Sequence, residues 1–221
     1  MAAIAASVLP LGARDVLDLG CGTGRLARLI ADAHPTVAVV GIDISQANIA
    51  AAAAGETRAG VRFEHADYLA YSGGPFDLIV TDGVLHLIPG DTRRLVRKLG
   101  VDLRPGGMLV CCMPYACAYN FASAGVRRAF RSARTAWLDR AILTVGEWVH
   151  GREMATDDLR ERVHYMYLPP TRMMNEELRA AMACDAGLQL VGEQPMPSVS
   201  LAQLRHNVTI FRKDSEERRL A

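Results

Sequence analysis

Three glycines at alternate positions, Gly20, Gly22 and Gly24, follow the apolar run Val16–Leu19, and Asp43 closes the next apolar run. Glycine in such a turn lets backbone N–H groups meet a polar ligand directly, because no Cβ holds the ligand away. A carboxylate at the end of the second run is placed to accept hydrogen bonds from ribose hydroxyls. Together they read as a nucleotide-binding turn. A dinucleotide fingerprint would put its third glycine at position 25, where Arg25 stands, and arginine cannot give the close helix-to-strand approach which that glycine provides. Two simpler roles stand beside the functional ones. Asp18 and Asp43 could each cap the helix that follows, and Cys21 could be a small filler within the turn.

The elements that must hold these residues alternate between strand and helix. Residues 15–20 read as a first buried strand. Thr23 to His34 puts Leu26, Leu29, Ile30 and Ala33 on one helical face, and Pro35 stops it. Val37–Ile42 is a β-branched run suited to a strand buried on both faces. Ser45 can cap the next helix, whose Ala50–Ala54 run permits close packing on a sheet. Residues 61–65, 76–81 and 108–113 read as strands three to five, with a short helix at 91–99. After an irregular helical stretch, 114–168, a helix (175–186) ends at Gly187, and strands follow at 188–191 and 208–211. Glu193–His206 is too short for a full crossover helix, which favours an antiparallel last strand and leaves no second nucleotide-binding half. The expected fold is a single α/β domain: a three-layer, Rossmann-like sandwich around a seven-stranded, mostly parallel sheet, with a helical lid inserted at 114–168 and a frayed tail at 213–221.

Composition narrows the function classes. Of 221 residues, 50% are hydrophobic and 22% charged, and the formal net charge is +1. Nothing in that balance favours nucleic acid or an anionic membrane as partner. Five cysteines, an odd number lying mostly in apolar elements, read as reduced thiols of a cytoplasmic protein, without the spacing of a metal site. The opening residues lack the basic start of a signal peptide, and no run is long enough to span a bilayer.

Val16–Leu26, Gly41–Ser45, His65–Asp67, Phe76–Val80 and Leu103–Gly107 resemble, in order, the motifs of class I S-adenosylmethionine-dependent methyltransferases, in particular the small-molecule group. The resemblance is strong over 15–113 and looser over 170–212. It implies S-adenosylmethionine as cofactor and a role for each matching position. Asp18 with the Gly20, Cys21, Gly22 and Gly24 backbone would hold the methionine part. Asp43 would take the ribose hydroxyls, Ile44 would pack on the adenine, Asp67 would accept from its amino group, and Tyr68 would lie beside the ring. Thr81 to Val84 would pass the sulfonium. No Asn-Pro-Pro-Tyr-like run follows strand four, which argues against methylation of a DNA base amine or a glutamine amide.

Methyl transfer asks the protein mainly for orientation, and for a base only where the acceptor arrives protonated. His86, just past strand four, is the candidate base; otherwise it is a polar wall residue. In the expected lid, Tyr115, Tyr119, Asn120, Trp137, Trp148, His150, Tyr165 and Tyr167 could line an apolar acceptor pocket with a few polar contacts. The arginines flanking Val126–Trp137 read as a solvated basic face, and Arg172 as a candidate anion site. The expected activity is transfer of a methyl group to a small molecule, oxygen preferred, by a monomer or homodimer. A catalytically silent cofactor-binding subunit and a nicotinamide-dependent oxidoreductase are the alternatives.

Overall fold

A computed structural model describes residues 1–54, 56, 58–135, 137, 139–141, 143–144, 167–196 and 203–215. Its elements in chain order are α1 (Ala2–Ser7), β1 (Asp15–Leu19), α2 (Arg25–Ala33), β2 (Ala38–Asp43), α3 (Gln46–Ala53), β3 (Val61–His65), β4 (Phe76–Asp82), α4 (Thr92–Asp102), β5 (Leu103–Pro114), α5 (Ala118–Ser132), α6 (Glu176–Ala186), β6 (Leu188–Pro195) and β7 (His206–Lys213). Seven strands form one sheet in the order β3-β2-β1-β4-β5-β7-β6. β7 runs antiparallel to both its neighbours, and the remaining pairings are parallel. The order reverses beside β1, which brings the C-terminal ends of β1, β2 and β4 together at the crevice where such sheets bind ligands.

Local chemistry accounts for the element ends. Ser45 caps α3 by accepting from Asn48 N, Asp91 caps α4 through Arg93 N and Arg94 N, and Asn175 caps α6 through Leu178 N. Gly187 ends α6 in the left-handed conformation (φ +65°) that glycine adopts without strain. Two apolar layers flank the sheet. One joins Leu17, Ile42, Ile79, Leu99, Leu109 and Met182 beneath α4 and α6; the other joins Val16, Ile30, Val39, Leu78, Val80 and Val110 beneath α1 and α2. Adjacent strand residues enter opposite layers, the period-two consequence of the pleat.

The structure departs from the sequence expectation in three places. An N-terminal helix, α1, packs on α2 and buries Ala5. The buried face of α2 is Ala27, Ile30 and Ala31, leaving Leu29 exposed, because the small alanines let the helix sit close to the sheet. Strand β5 begins at Leu103, ahead of the Pro105-Gly-Gly turn, with an irregular register opposite Phe76 and Leu78.

Candidate functional site

The glycine turn is built almost wholly from backbone. Gly20 N and Cys21 N both donate to Ile42 O, at 2.8 and 2.9 Å, which ties the end of β1 to the end of β2. Gly20, at φ +74°, has no room for a side chain, since an added Cβ would overlap Val84. Gly22, at φ +53°, differs: nothing lies within 4 Å of where its Cβ would be. The turn thus combines left-handed backbone with an open face at its centre, a cradle that a ligand could approach.

Asp43 faces that cradle. Its Oδ2 accepts from Gly22 N at 2.9 Å and its Oδ1 from Ser45 N at 2.8 Å. The capping alternative for Asp43 is not what occurs, because Ser45 itself caps α3. With one N–H on each oxygen, the carboxylate keeps lone pairs for further donors. Ile44 beside it is 72% exposed, a large apolar side chain without protein cover.

Asp18 takes the capping role expected of it. Helix α2 starts at Gly24 without a local side-chain cap, and Asp18 Oδ2, from inside the sheet, accepts from Ala27 N at 3.0 Å. Burial, with Asp82 and Asp43 adding like charge, pushes its carboxyl up to about 7 despite that hydrogen bond. Cys21 is buried, and burial beside Asp18 and Asp43 raises its thiol to about 12, so it is an inert filler.

The remaining expected cofactor residues divide. Asp67 is exposed, with Oδ1 accepting from Leu69 N at 2.9 Å. Tyr68 lies in the apolar layer under α4, its ring 4.9 Å from Lys98 Nζ, and burial next to Asp102 drives its hydroxyl upward. Its ring therefore belongs to the core rather than to an open adenine subsite. Thr81 is also fully buried, its Oγ1 without a hydrogen-bond partner among the described residues, and it points to the face opposite Asp82. Val84 closes on Gly20.

Past β4 the structure corrects two expectations. His86 is only 5% exposed, its Nδ1 has no partner among the described residues, and burial with His206, Arg127 and Arg172 nearby holds its pKa down to about 3. A histidine so held stays neutral at physiological pH and is a poor proton acceptor. Arg172 is not an open anion site. Its guanidinium donates to Leu85 O (2.6 Å), Ile88 O (2.7 Å) and Gly90 O (3.1 Å), while Thr171 N and Oγ1 donate to His86 O. Residues 171–172 thus staple the loop after β4 in place.

Of the expected acceptor residues, Tyr115 forms a bridge with Met174, Tyr119 lies under Arg205 (4.8 Å to the ring centroid), and Trp137 is 76% exposed. Trp148, His150 and Tyr165 fall outside the described residues. Among the flanking arginines, Arg128, Arg131 and Arg134 are exposed, Arg134 pairing with Asp139, whereas Arg127 is half-buried and donates to Leu168 O at 3.4 Å.

Two residues here gain their role only from the fold: Asn120, expected in the lid, and His206, which carried no motif in the sequence. Asn120, fully buried, donates to Tyr115 O (2.7 Å) and Arg205 O (2.8 Å) and accepts from Arg205 N (2.8 Å), clamping the end of β5 to the start of β7. His206 opens β7 opposite Pro114, with Nδ1 2.7 Å from Leu204 O and its ring edge-on to His86, centroids 5.7 Å apart.

Comparison with known proteins agrees with this geometry. Residues 16–107 match the methyltransferase domain family. The trans-aconitate 2-methyltransferase of Streptomyces avermitilis is 38% identical over 143 residues, covering 62% of this chain and 51% of the relative. That of Deinococcus radiodurans is 40% identical over 99 residues, covering 45% of this chain and 37% of the relative. The chain therefore matches about half, or less, of the length of these relatives. The N-methyltransferase NodS of Bradyrhizobium japonicum shares the fold at 17% identity and a TM-score of 0.61, over 97% of this chain and 94% of its own. A didemethyltoxoflavin N1-methyltransferase of Burkholderia thailandensis, solved with S-adenosylhomocysteine, shares it at 18% identity and a TM-score of 0.61, over 97% of this chain and 78% of its own.

Proposed function

We propose, from the premise that this chain belongs to the class I S-adenosylmethionine-dependent methyltransferases, that it is a cytoplasmic enzyme transferring the cofactor's methyl group to an oxygen of a small-molecule acceptor. The observation that carries this function is the pairing of the open Gly22 cradle with the Asp43 carboxylate that accepts from Gly22 N at 2.9 Å. Glycines without Cβ suit the methionine part of the cofactor, an acceptor-only carboxylate suits ribose hydroxyls, and the uncovered Ile44 suits a flat base. Asp67, at the exposed end of β3, would take the adenine amino group. Asp18 and its acidic neighbours Asp43 and Asp82 would favour a cationic ligand over a neutral one. When bound, S-adenosylmethionine supplies an electrophilic methyl group on a sulfonium.

The protein's own contribution is to align acceptor, methyl carbon and sulfur, an effect on the order of 7–11 kcal/mol. Tyr115 and Tyr119, beyond the end of β5, would border the acceptor. The relatives' name makes trans-aconitate, a carboxylate that needs no base, one acceptor to assay, beside hydroxyl-bearing metabolites that do need one.

Titration calorimetry with S-adenosylhomocysteine and with NADH tests the cofactor. Binding of the former is expected, and binding of NADH alone would reverse the assignment. Incorporation of isotope-labelled methyl groups into a metabolite extract tests turnover. Tight cofactor binding with no labelled product would instead support a silent binding subunit.

A further inference from the structure

We propose that His206, not His86, accepts the proton of the methyl acceptor, so that the site is built for acceptors arriving with an O–H bond. The inference rests on the methyltransferase function above and names the chemistry of its acceptor side. His206 enters from β7, far in sequence from the glycine turn, but the topology brings it to the same end of the sheet. β7 lies beside β5, His206 stands in register with Pro114, and Gly83 N donates to Cys112 O two residues below Pro114 on that strand. Asp82, next to Gly83, shares a sheet face with His206 and Asp18, and it is close enough to favour the His206 imidazolium.

The imidazole is prepared for one task. Its Nδ1 lies 2.7 Å from Leu204 O, and a carbonyl can only accept, so Nδ1 carries the proton and Nε2 of the neutral ring is bare. Asn120 fixes the backbone that presents it, through both hydrogen bonds to Arg205. His206 is partly exposed, whereas its ring neighbour His86 is buried. Among the described residues, the charged and titratable groups facing His206 are Asp82 from β4, Arg127 from α5 and His86 from the loop after β4. Burial, with Arg127 adding to it, holds the ring below the ordinary histidine value although the Leu204 bond and Asp82 favour the protonated form, and this keeps Nε2 free of a proton at neutral pH. In the step itself the acceptor O–H bond breaks. Its proton goes to Nε2, its electron pair stays on oxygen, and oxygen takes the methyl as the C–S pair returns to sulfur. The imidazolium then releases its proton to water.

The decisive variant is His206→Asn, whose amide nitrogen occupies the place of Nδ1 and can keep the bond to Leu204 while Nε2 is lost. It is to be assayed with the acceptor recovered from the labelled extract. Expected are S-adenosylhomocysteine affinity within about 2-fold of wild type, methyl transfer lower by about 10²–10³-fold, and loss of the acidic limb of the pH–rate profile. Transfer within about 3-fold of wild type, an unchanged acidic limb, or an extract acceptor that is a carboxylate and needs no base would each overturn the proposal. A readout independent of turnover is the long-range 1H–15N spectrum of the wild-type protein at pH 7.5, with His206 assigned by the variant. A bare Nε2 is expected, and a proton on Nε2 refutes the assignment. Failure of wild-type protein to bind S-adenosylhomocysteine would instead remove the methyltransferase function itself.

Discussion

The glycine turn and the proposed acceptor mouth stand at the same end of one sheet, yet they are made of different material. The turn consists of backbone from one contiguous segment, Gly20 to Gly24, locked to Ile42 O and Asp43. The mouth joins four segments distant in sequence, around His86, Asn120, Thr171 and Arg205, through side-chain to backbone hydrogen bonds. Asn120 reaches Arg205 across 85 positions of sequence, and Thr171 reaches His86 across 85. A site of the first kind tolerates almost no change in chain conformation; one of the second kind depends on strand order and can be rebuilt with different residues. Substitutions should therefore act through conformation and cofactor affinity at the turn, and through packing or acceptor chemistry at the mouth.

The sharpest break is expected at Gly20. In Gly20→Ala the residue keeps a positive φ and its new methyl meets Val84, a β-branched side chain with little rotamer freedom. Strain and overpacking together predict a destabilisation of about 3 kcal/mol and loss of measurable S-adenosylhomocysteine binding, read by urea denaturation and calorimetry. Wild-type affinity would show that the turn is not the cofactor's seat. Asp43→Ala is expected to separate affinity from stability. It removes the acceptor for Gly22 N and Ser45 N at a half-buried position, a loss of about 1 kcal/mol in stability. Affinity should fall about 100-fold if the carboxylate also holds two ribose hydroxyls. Unchanged affinity would leave Asp43 with a purely local role.

At the mouth, Arg172→Ala should lower stability by about 1–2 kcal/mol by leaving the Leu85, Ile88 and Gly90 carbonyls without their donor, and Arg172→Lys should recover little because an ammonium cannot reproduce the fork. The measurement is the urea midpoint, with cofactor affinity as the control. An intact midpoint combined with weaker acceptor binding would restore the anion-site reading of Arg172.

The same contrast explains what could be read from the chain. The turn was legible because its chemistry needs particular residue types at fixed local spacing, and the strand alternation that holds it leaves a periodic trace. Seven strands, an antiparallel final strand and the crevice beside β1 follow from that trace. Tyr68 misled because a residue following a binding motif can turn either way, and here the apolar layer under α4 gained more from an aromatic ring than an open subsite would. His86 misled because sequence position places a side chain near a site without revealing its solvent exposure, and near-complete burial beside His206, Arg127 and Arg172 moves this histidine out of the useful pKa range. Asn120 and His206 carry no local signature, since each has meaning only once β7 has been inserted beside β5.

The smallest expected effect belongs to Asp18, and it is specific to the turn. With its carboxyl raised to about 7 in the ligand-free protein, Asp18 is partly protonated at neutral pH. For stability the sign follows from the folded value lying above the unfolded one: the favourable contribution is complete below about pH 4 and is lost as pH rises through about 7. For binding the sign is opposite. A cationic ligand group beside Asp18 favours its ionised form and lowers the bound-state pKa, so association releases a proton and affinity increases with pH until about 7, then levels off. Between pH 5.5 and 8 the gain should be about 3- to 10-fold, with calorimetry in buffers of different ionisation enthalpy reporting the released proton directly. Asp18→Asn should flatten the curve, while His206→Asn should leave it intact. If both variants kept the slope, the proton would come from elsewhere, and the acidic trio at the turn would have no part in attracting the cofactor.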